Sequence, residues 1–464
     1  MDYRIEKDSL GEVKVPAYAY WGAQTQRAIE NFPISGMMAD PAFIWASAQV
    51  KKAACLTNQD LGLIPGDQAK AIMAACDEII AGKLHDQFVV DIFQAGAGTS
   101  HNMNFNEVIA NRANELLGNP KGAYRPVHPN DTVNMAQSTN DFIPTAIRIA
   151  CLQLSHGLTE KLESLRSSLA RKLEEFDNVI KAGRTHLQDA VPIRFGQEFS
   201  GYAESISRHG GWIKAAAYEL TEIGLGGSAV GTGLNCHPDY RVNVAANLAK
   251  LTGMEIKPAR DYFEAMQSMA AFVGLSASLS NLAQDLSRIA NDFRLMASGP
   301  KTGLAELLLP VRQPGSSIMP GKVNPVMAEM LNMVCFSVFG NHEAILWAAQ
   351  AGQLELNVMM PLIAYKLPDS LTILTNAVDA FTRFCVDGLK IDAEKCRRYA
   401  ESSVAVVTAL NPTLGYMKAA EVVKRSYAEN KSVRQILLEE KLVAREKLDE
   451  ILDLAKLTEP GIHK

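Results

Sequence analysis

Residues 275–296 read L-S-A-S-L-S-N-L-A-Q-D-L-S-R-I-A-N-D-F-R-L-M and repeat large apolar side chains at alternating steps of four and three. The repeat consists of Leu275, Leu279, Leu282, Leu286, Ile289, Phe293 and Met296. This spacing places the side chains on one face of an α-helix, in the kind of seam that long packed helices share. The Ala, Ser and Asn residues between them are small enough for a neighbouring helix to approach closely. The stretch therefore predicts a long helix within a bundle.

A second apolar stripe and a helix-start signal indicate further long helices. The stripe consists of Leu158, Leu162, Leu165, Leu169, Leu173, Phe176 and Ile180. Farther along, Asn324 can cap a helix that has Pro325 at its first position and continues through M-A-E-M-L-N-M-V-C-F-S-V-F-G. Helices of this kind, apolar on several sides, need several neighbours. Residues from about 140 to 390 therefore predict a bundle that also buries surface between subunits, with a self-contained monomeric bundle as the alternative.

The segments that flank this bundle complete a mainly α fold of three domains. Residues 1–138 mix short helices with turn-rich stretches and form an N-terminal, mostly helical domain. Residues 139–391 form the domain of long helices. Residues 392–464 form a small C-terminal helical domain, in which Ser432 and Gln435 match a capping box.

The composition excludes several classes of protein. The 464 residues are 47% hydrophobic and 21% charged, with a net charge of -5 and no long basic run, so neither a nucleic-acid nor a membrane surface is indicated. The charged start M-D-Y-R-I-E-K-D-S-L-G-E and the lack of any long apolar stretch argue against secretion and membrane spanning. Seven scattered cysteines without a C-x-x-C pair are typical of reduced core thiols in a cytoplasmic protein.

A short polar loop is the strongest candidate for a functional element. Residues 315–325 read G-S-S-I-M-P-G-K-V-N-P, and the glycines and prolines prevent a regular helix or strand. The loop misses the phosphate-binding pattern by one residue, and Val323 replaces the hydroxyl that the pattern requires. G-L-G-G-S-A at residues 224–229 resembles a dinucleotide pattern, but a helix precedes it and none follows. We therefore expect no cofactor.

Four polar, turn-rich stretches lie far apart in the sequence. They are Q-A-G-A-G-T-S-H-N-M-N-F-N-E (94–107), H-P-N-D-T-V-N-M-A-Q-S-T-N-D (128–141), G-R-T-H-L-Q-D-A (183–190) and the 315–325 loop. Their Thr, Ser, Asn and His side chains can donate hydrogen bonds without repelling a negative charge. With Lys322, and Arg184 as a further candidate, they would suit a small dianionic acid. Each stretch alone could instead be simple turn and capping chemistry.

Histidine placement indicates one candidate for chemistry and no metal site. His186 follows Thr185, and Glu329 on the helix after the loop could orient or charge it. His128 and His101 are weaker candidates. The nine histidines show no His-x-x-x-His or similar spacing, so we expect no metal.

Together these stretches resemble the aspartase/fumarase superfamily, whose loop signature G-S-S-x-x-P-x-K-x-N is matched from Gly315 to Asn324. The resemblance extends from I-E-K-D-S-L-G-E near the start to N-P-T-L-G-Y near residue 416. It implies a three-domain, almost all-helical subunit that assembles as a homotetramer. In such a tetramer the central helices form a twenty-helix core, and each active site is drawn from three subunits.

Within the superfamily, the sequence is more similar to the enzymes that release ammonia from L-aspartate than to the fumarate hydratases. A-G-Q-L-E-L-N-V-M (351–359), Met135 and A-S-G-P-K-T-G-L-A-E-L-L-L-P before the loop carry that similarity. H-P-N-D instead resembles a second anion site of fumarases, and His342 and Met360 depart from the usual aspartase residues. The alternatives are a hydratase for fumarate and malate, a lyase for an N-substituted aspartate, or a scaffold or lens-type protein that has lost catalysis.

The resemblance also implies roles for individual residues. Ser316 would be the catalytic base, with His186 as a second catalytic residue and Glu329 in support. The substrate-binding residues would be Thr99, Ser138, Thr139, Asn140, Thr185, Ser317, Lys322 and Asn324. The reaction would be an anti elimination through an aci-carboxylate, the dianionic form that a carboxylate adopts when the neighbouring carbon loses its proton.

Overall fold

The computed structural model describes residues 2–462, and most of these residues are helical. The first helices are α1 (Ala23–Asn31), α2 (Pro41–Asp60), α3 (Gly66–Ile80), α4 (Thr99–Leu116), α5 (Thr139–Phe176), α6 (Phe195–Tyr218), α7 (Tyr240–Thr252) and α8 (Tyr262–Gln267). They are followed by α9 (Ala270–Met296), α10 (Val326–Gln350), α11 (Met360–Phe381), α12 (Ala393–Ser402), α13 (Asn411–Leu414), α14 (Tyr416–Glu429), α15 (Val433–Glu439) and α16 (Arg445–Ile451). The mainly α class is therefore confirmed.

The strands of the described chain form small two-stranded sheets. They are β1 (Tyr3–Asp8), β2 (Gly11–Pro16), β3 (Ile180–Thr185), β4 (Gln188–Arg194), β5 (Glu222–Ile223), β6 (Lys257–Pro258), β7 (Leu307–Leu308) and β8 (Lys390–Ile391). The β1–β2, β3–β4 and β7–β8 pairs are antiparallel, whereas β5–β6 is parallel. The β3–β4 hairpin matters most for the site, because its tip carries two of the candidate residues.

The chain forms two compact units, each assembled from three segments. The first unit contains residues 2–160, 209–284 and 334–376, and the second contains residues 161–208, 285–333 and 377–462. In the first unit, Phe105 packs against Phe88 with ring centroids 4.3 Å apart and against Phe142 at 6.1 Å. In the second, Phe293 packs against Phe199 at 5.8 Å and Phe381 at 5.5 Å. The three-domain division stays a prediction.

The apolar repeat of α9 is buried along its whole length, as predicted. Leu275, Leu279, Leu282, Leu286, Ile289, Phe293 and Met296 are each at most 4% exposed. The Ser432–Gln435 capping box at α15 is also confirmed. The seven cysteines are free thiols, and six of them are buried. Among residues 2–462, no helix is both long enough and apolar enough to cross a membrane.

Four details of the helices differ from or extend the prediction. The stripe that was read from Leu158 belongs to α5, which starts nineteen residues earlier, at Thr139. Ile180 lies in β3 and pairs with Arg194, because the chain leaves the helix after Phe176 and turns into the hairpin. Asn324 does not cap α10 with its side chain, which donates to the Gly315 carbonyl instead. The segment before residue 139 also contains helices of 20 and 18 residues, longer than predicted.

Candidate active site

The 315–325 loop is irregular, as predicted, and its two ends are tied together. The Gly315 N–H donates to the Lys322 carbonyl at 2.7 Å, and Asn324 Nδ2 donates to the Gly315 carbonyl at 2.8 Å. A Cβ atom at position 315 would lie 2.5 Å from the Lys322 carbonyl oxygen, so only glycine fits between the two ends. Gly321 has a φ of +82°, which also favours glycine. The loop is thus a closed turn that projects its polar side chains.

The Ser316 hydroxyl accepts hydrogen bonds from the backbone of its own loop. Its Oγ accepts hydrogen bonds from the N–H groups of Ile318 at 3.2 Å and Met319 at 3.0 Å. Two N–H donors aimed at one oxygen favour negative charge on that oxygen. Ser316 and Lys322 line the same cleft, which has a volume of about 500 Å³. The neighbouring Ser317 is exposed.

Thr185 and His186 form the tip of the β3–β4 hairpin. His186 and Leu187 have φ values of +55° and +59°, the left-handed pair that a tight hairpin turn requires. Both Thr185 and His186 are exposed. The preceding Arg184 pairs with the fully buried Glu306, with its Nη1 2.8 Å from Glu306 Oε1. The hairpin therefore presents a hydroxyl and an imidazole to solvent.

The predicted contact between His186 and Glu329 is not made within the described chain, residues 2–462. No ion pair or hydrogen bond joins the two side chains there, since His186 stands exposed at the hairpin tip. Glu329 is half-buried in the first turn of α10, where a carboxylate is favoured by the helix dipole. An orienting role for Glu329 would require another copy of the chain.

In the first unit, two helix beginnings carry the remaining candidate residues. Thr99 is the first residue of α4, while Ser138 directly precedes α5 and Thr139 begins it. Asn102 Nδ2 donates to Thr139 Oγ1 at 3.1 Å and so ties the two helix beginnings together. The Asn140 N–H donates to Ser138 Oγ at 3.2 Å. Free N–H groups at helix beginnings favour anionic ligands.

The glycine-rich segment 224–235 positions Asn140. Asn140 Nδ2 donates to the Ala229 carbonyl at 2.7 Å. The adjacent Asp141 is fully buried, and its Oδ2 accepts from the N–H groups of Gly226 at 3.0 Å and Ser228 at 2.9 Å. Burial raises the pKa of Asp141 to about 7, although these N–H donors lower it. Because the Ala229 carbonyl can only accept, it faces the amide nitrogen of Asn140. The amide oxygen of Asn140 is left to accept from another donor.

Comparisons with known proteins identify the family of this chain. Residues 11–340 match the family described as Lyase, and residues 406–459 match the one described as Fumarase C C-terminus. The chain belongs to the aspartase/fumarase superfamily of lyases. This confirms the resemblance inferred from the loop and the other polar stretches.

Named members of the superfamily include enzymes with different substrates. An aspartate ammonia-lyase of Bacillus subtilis is 49% identical over 461 residues, covering 99% of this chain and 97% of the relative. A class II fumarate hydratase of Halobacterium salinarum is also 49% identical, over 99% of this chain and 98% of the relative. The crystal structure of a fumarate lyase:delta crystallin from Brucella melitensis, bound to cobalt, has a TM-score of 0.95. It is 46% identical and covers 99% of this chain and 100% of that chain.

The sequence analysis did not identify Lys51, which is completely buried in the first unit of this protein. Lys51 Nζ donates to Asn102 Oδ1 at 2.8 Å and to Asn134 Oδ1 at 3.1 Å, and lies 4.0 Å from the centroid of the Phe142 ring. Burial lowers the pKa of Lys51 to about 7. The signal was a lysine inside a buried stripe of α2 that consists of Ile44, Ala48, Lys51 and Cys55.

Three other histidines, His128, His101 and His342, contact neighbouring residues or are buried. His128 Nδ1 accepts from the Asn130 N–H at 3.3 Å and lies 3.3 Å from Asp131 Oδ2. His101 is buried, and burial lowers its pKa to about 4, so it is neutral at pH 7. His342 Nδ1 lies 2.9 Å from Ser276 Oγ. Among residues 2–462, no three His, Cys, Asp or Glu side chains are grouped so as to hold a metal ion.

The tied base of the loop leads to a first prediction, for Gly315→Ala. The new Cβ would lie 2.5 Å from the Lys322 carbonyl and 2.9 Å from the Asn324 N–H, so the loop base must open. We expect kcat to fall about tenfold, because the candidate catalytic groups on the loop would lose their alignment. Gly157→Ala is the control, since a Cβ there meets nothing within 4 Å. Equal kcat values for the two variants would show that the closed base is not needed.

Proposed function

We propose that this lyase is an ammonia-lyase that converts L-aspartate reversibly to fumarate and ammonia. The observation that carries the proposal is Ser316 Oγ, held by the Ile318 and Met319 N–H groups in a cleft that also contains Lys322. This arrangement suits a base that acts beside an anionic substrate. The elimination balances without a cofactor, because one proton moves to the base and ammonia leaves with its bonding electrons.

Ser316 would remove the proton from the carbon next to one carboxylate. A serine hydroxyl is normally a very weak base, so its alkoxide must be stabilised before it can act. The Ser316 hydroxyl would first lose its own proton to solvent, and the two N–H donors would stabilise the alkoxide. Closure of the loop over the substrate would then exclude water and make that alkoxide a stronger base. The abstracted proton would then reside on Ser316 Oγ.

The carboxylate beside that carbon would take up the developing charge as an aci-carboxylate. Donors placed before the charge develops provide the largest stabilisation of such an intermediate. Thr99, Ser138, Thr139 and Ser317 would supply hydroxyl and N–H donors. The helix-beginning positions of Thr99 and Thr139 add the favourable end of two helix dipoles.

The other carboxylate and the amino group would be held by Lys322, Asn324, Thr185, His186 and Asn140. Asn324 uses one of its two amide hydrogens on the Gly315 carbonyl and keeps the other for the substrate. Asn140 faces the Ala229 carbonyl with its amide nitrogen, so its oxygen is available to accept from an ammonium group. An acceptor at that position favours an amino substrate, whose three N–H donors require one.

We further propose a cytoplasmic homotetramer whose active sites draw on three subunits and whose subunits have the three domains stated above. Helix α10 supports self-association because it exposes Met333, Phe336 and Trp347, at 64%, 57% and 64% of their full surface. Large apolar side chains exposed on one long helix are typical of subunit interfaces. Seven free thiols suit a reducing compartment.

Incubation with L-aspartate and, separately, with L-malate tests the proposal. We expect the ultraviolet absorbance of fumarate to appear with L-aspartate, with an equal amount of ammonia. Fumarate formed from L-malate alone would instead establish the second candidate, a fumarate hydratase. That candidate is favoured by the equal identity to a class II fumarate hydratase and by H-P-N-D at residues 128–131.

A further inference from the structure

We propose that a buried hydrogen-bond chain from Lys51 through Asn102 fixes the Thr139 hydroxyl as a donor toward the substrate. Lys51 and Asn102 are then positioning residues that act through Thr139 and do not touch the substrate. The inference rests on the proposed function for the identity of the acceptor, the carboxylate that becomes the aci-carboxylate. The direction in which each hydrogen bond of this chain is donated follows from the described residues alone.

The first link is the ammonium group of Lys51, which has donors and no acceptor. It lies 2.8 Å from Asn102 Oδ1 and 3.1 Å from Asn134 Oδ1, in a position with 0% exposure. Because Lys51 can only donate in its charged form, both asparagines must turn their oxygens toward it. The amide nitrogens of both residues therefore point away from the lysine.

A second contact agrees with this direction and orients Asn134, although Lys51 remains the only donor to Asn102 Oδ1 among the described residues. Asn134 Nδ2 donates to the Gln137 carbonyl at 3.2 Å, and a carbonyl can only accept. Asn134 Oδ1 must then face Lys51 and the Asn102 amide, which lies 3.2 Å away. The orientation of Asn134 therefore holds even when Lys51 loses its proton, since a neutral amine still donates to Asn134 Oδ1.

The last link sets the role of Thr139. Asn102 Nδ2 donates to Thr139 Oγ1 at 3.1 Å, so this hydroxyl accepts on one side and its hydrogen points elsewhere. Within residues 2–462 the Thr139 hydroxyl donates to no acceptor. Thr139 is half-buried, so the hydrogen has access to a ligand. A hydroxyl held in this way has its donor aligned before any negative charge develops.

Asn102→Asp tests the chain, because a carboxylate keeps the acceptor for Lys51 and removes the donor to Thr139. The Thr139 hydroxyl would then donate to the new carboxylate and turn its hydrogen away from the substrate. We expect kcat/KM to fall between tenfold and a hundredfold, as for the loss of one preorganised donor. Thr139→Val should cause a similar fall, and the double variant should be no worse than the poorer single variant.

Ser138→Ala supplies the matched background. Asn102→Asp should keep its full effect there, because the chain does not pass through the Ser138 hydroxyl. Losses that multiply in the Asn102→Asp, Thr139→Val double variant would overturn the proposal, as would kcat/KM within twofold of wild type for Asn102→Asp alone.

Lys51→Met provides a second variant in case Asn102→Asp fails to fold. It removes the first donor and should lower kcat/KM several-fold in the wild-type background and have no effect in the Thr139→Val background. Lys52→Met is its control. The neighbouring Lys52 lies 2.5 Å from Asp77 and takes no part in the hydrogen-bond chain. If wild-type protein converts neither aspartate nor malate, the proposed function fails. In that case the affinity of the wild type, the two single variants and the Asn102→Asp, Thr139→Val double variant for succinate, measured by calorimetry, tests the hydrogen-bond chain separately.

Discussion

Ser316→Ala is expected to lower kcat about 10³-fold, the usual contribution of a positioned base. The substrate C–H bond is barely acidic, and alanine offers no atom that can take the proton. The N–H groups of Ile318 and Met319 would lose the oxygen that they hold, but the loop base would stay tied by Gly315. The measurement is the initial rate of fumarate formation at saturating L-aspartate.

Ser317→Ala is the matched control for this prediction. Ser317 is exposed, accepts no comparable pair of N–H bonds among the described residues and is assigned to binding. The Ser317 hydroxyl is one of several proposed donors to the aci-carboxylate, and its N–H remains in the alanine variant, so kcat should fall less than in Ser316→Ala. Sedimentation should show the same assembly for both variants and the wild type. A Ser316→Ala protein that keeps more than about a tenth of the wild-type rate, a barrier change below about 1.4 kcal/mol, would show that another group is the base.

The sequence was sufficient for those features that depend on local spacing. The α9 repeat predicted a buried helix, because one face of a helix is visible at steps of three and four residues. The 315–325 loop was equally visible, since its glycines and prolines allow little else. The tip residues Thr185 and His186 were identified from their motif, but their exposed hairpin was not predicted.

Contacts between residues far apart in the sequence could not be predicted from it. Lys51 and Asn102 are 51 residues apart, and their partnership depends on how α2 and α4 pack. The glycine-rich segment 224–235 was considered only as a cofactor site, yet its backbone holds Asn140 and Asp141. Asn324 was predicted to cap α10, but its side chain donates to the Gly315 carbonyl. The sequence does not show that this carbonyl lies within reach.

Lys322→Ala is expected to raise KM about a hundredfold and to lower kcat much less. Lys322 lines the Ser316 cleft and extends from the exposed side of the loop, so it is available to a carboxylate. A hydrogen bond to a charged group contributes about 1.5–3 kcal/mol, which corresponds to roughly 10- to 150-fold in affinity. In the proposed mechanism, the carboxylate that Lys322 would hold is charged in both substrate and transition state, so the loss is expected to fall on binding.

Two further variants distinguish a clamp from general surface charge. Lys322→Arg keeps the charge but replaces a compact ammonium with a wide planar group, and should recover part of the affinity. Lys301→Ala removes another exposed lysine before the loop and should leave KM within twofold of wild type. An unchanged KM for Lys322→Ala would remove Lys322 from the binding site. A fall in kcat alone would place its charge on the developing aci-carboxylate instead of the distant carboxylate, because only the transition state would then lose its partner.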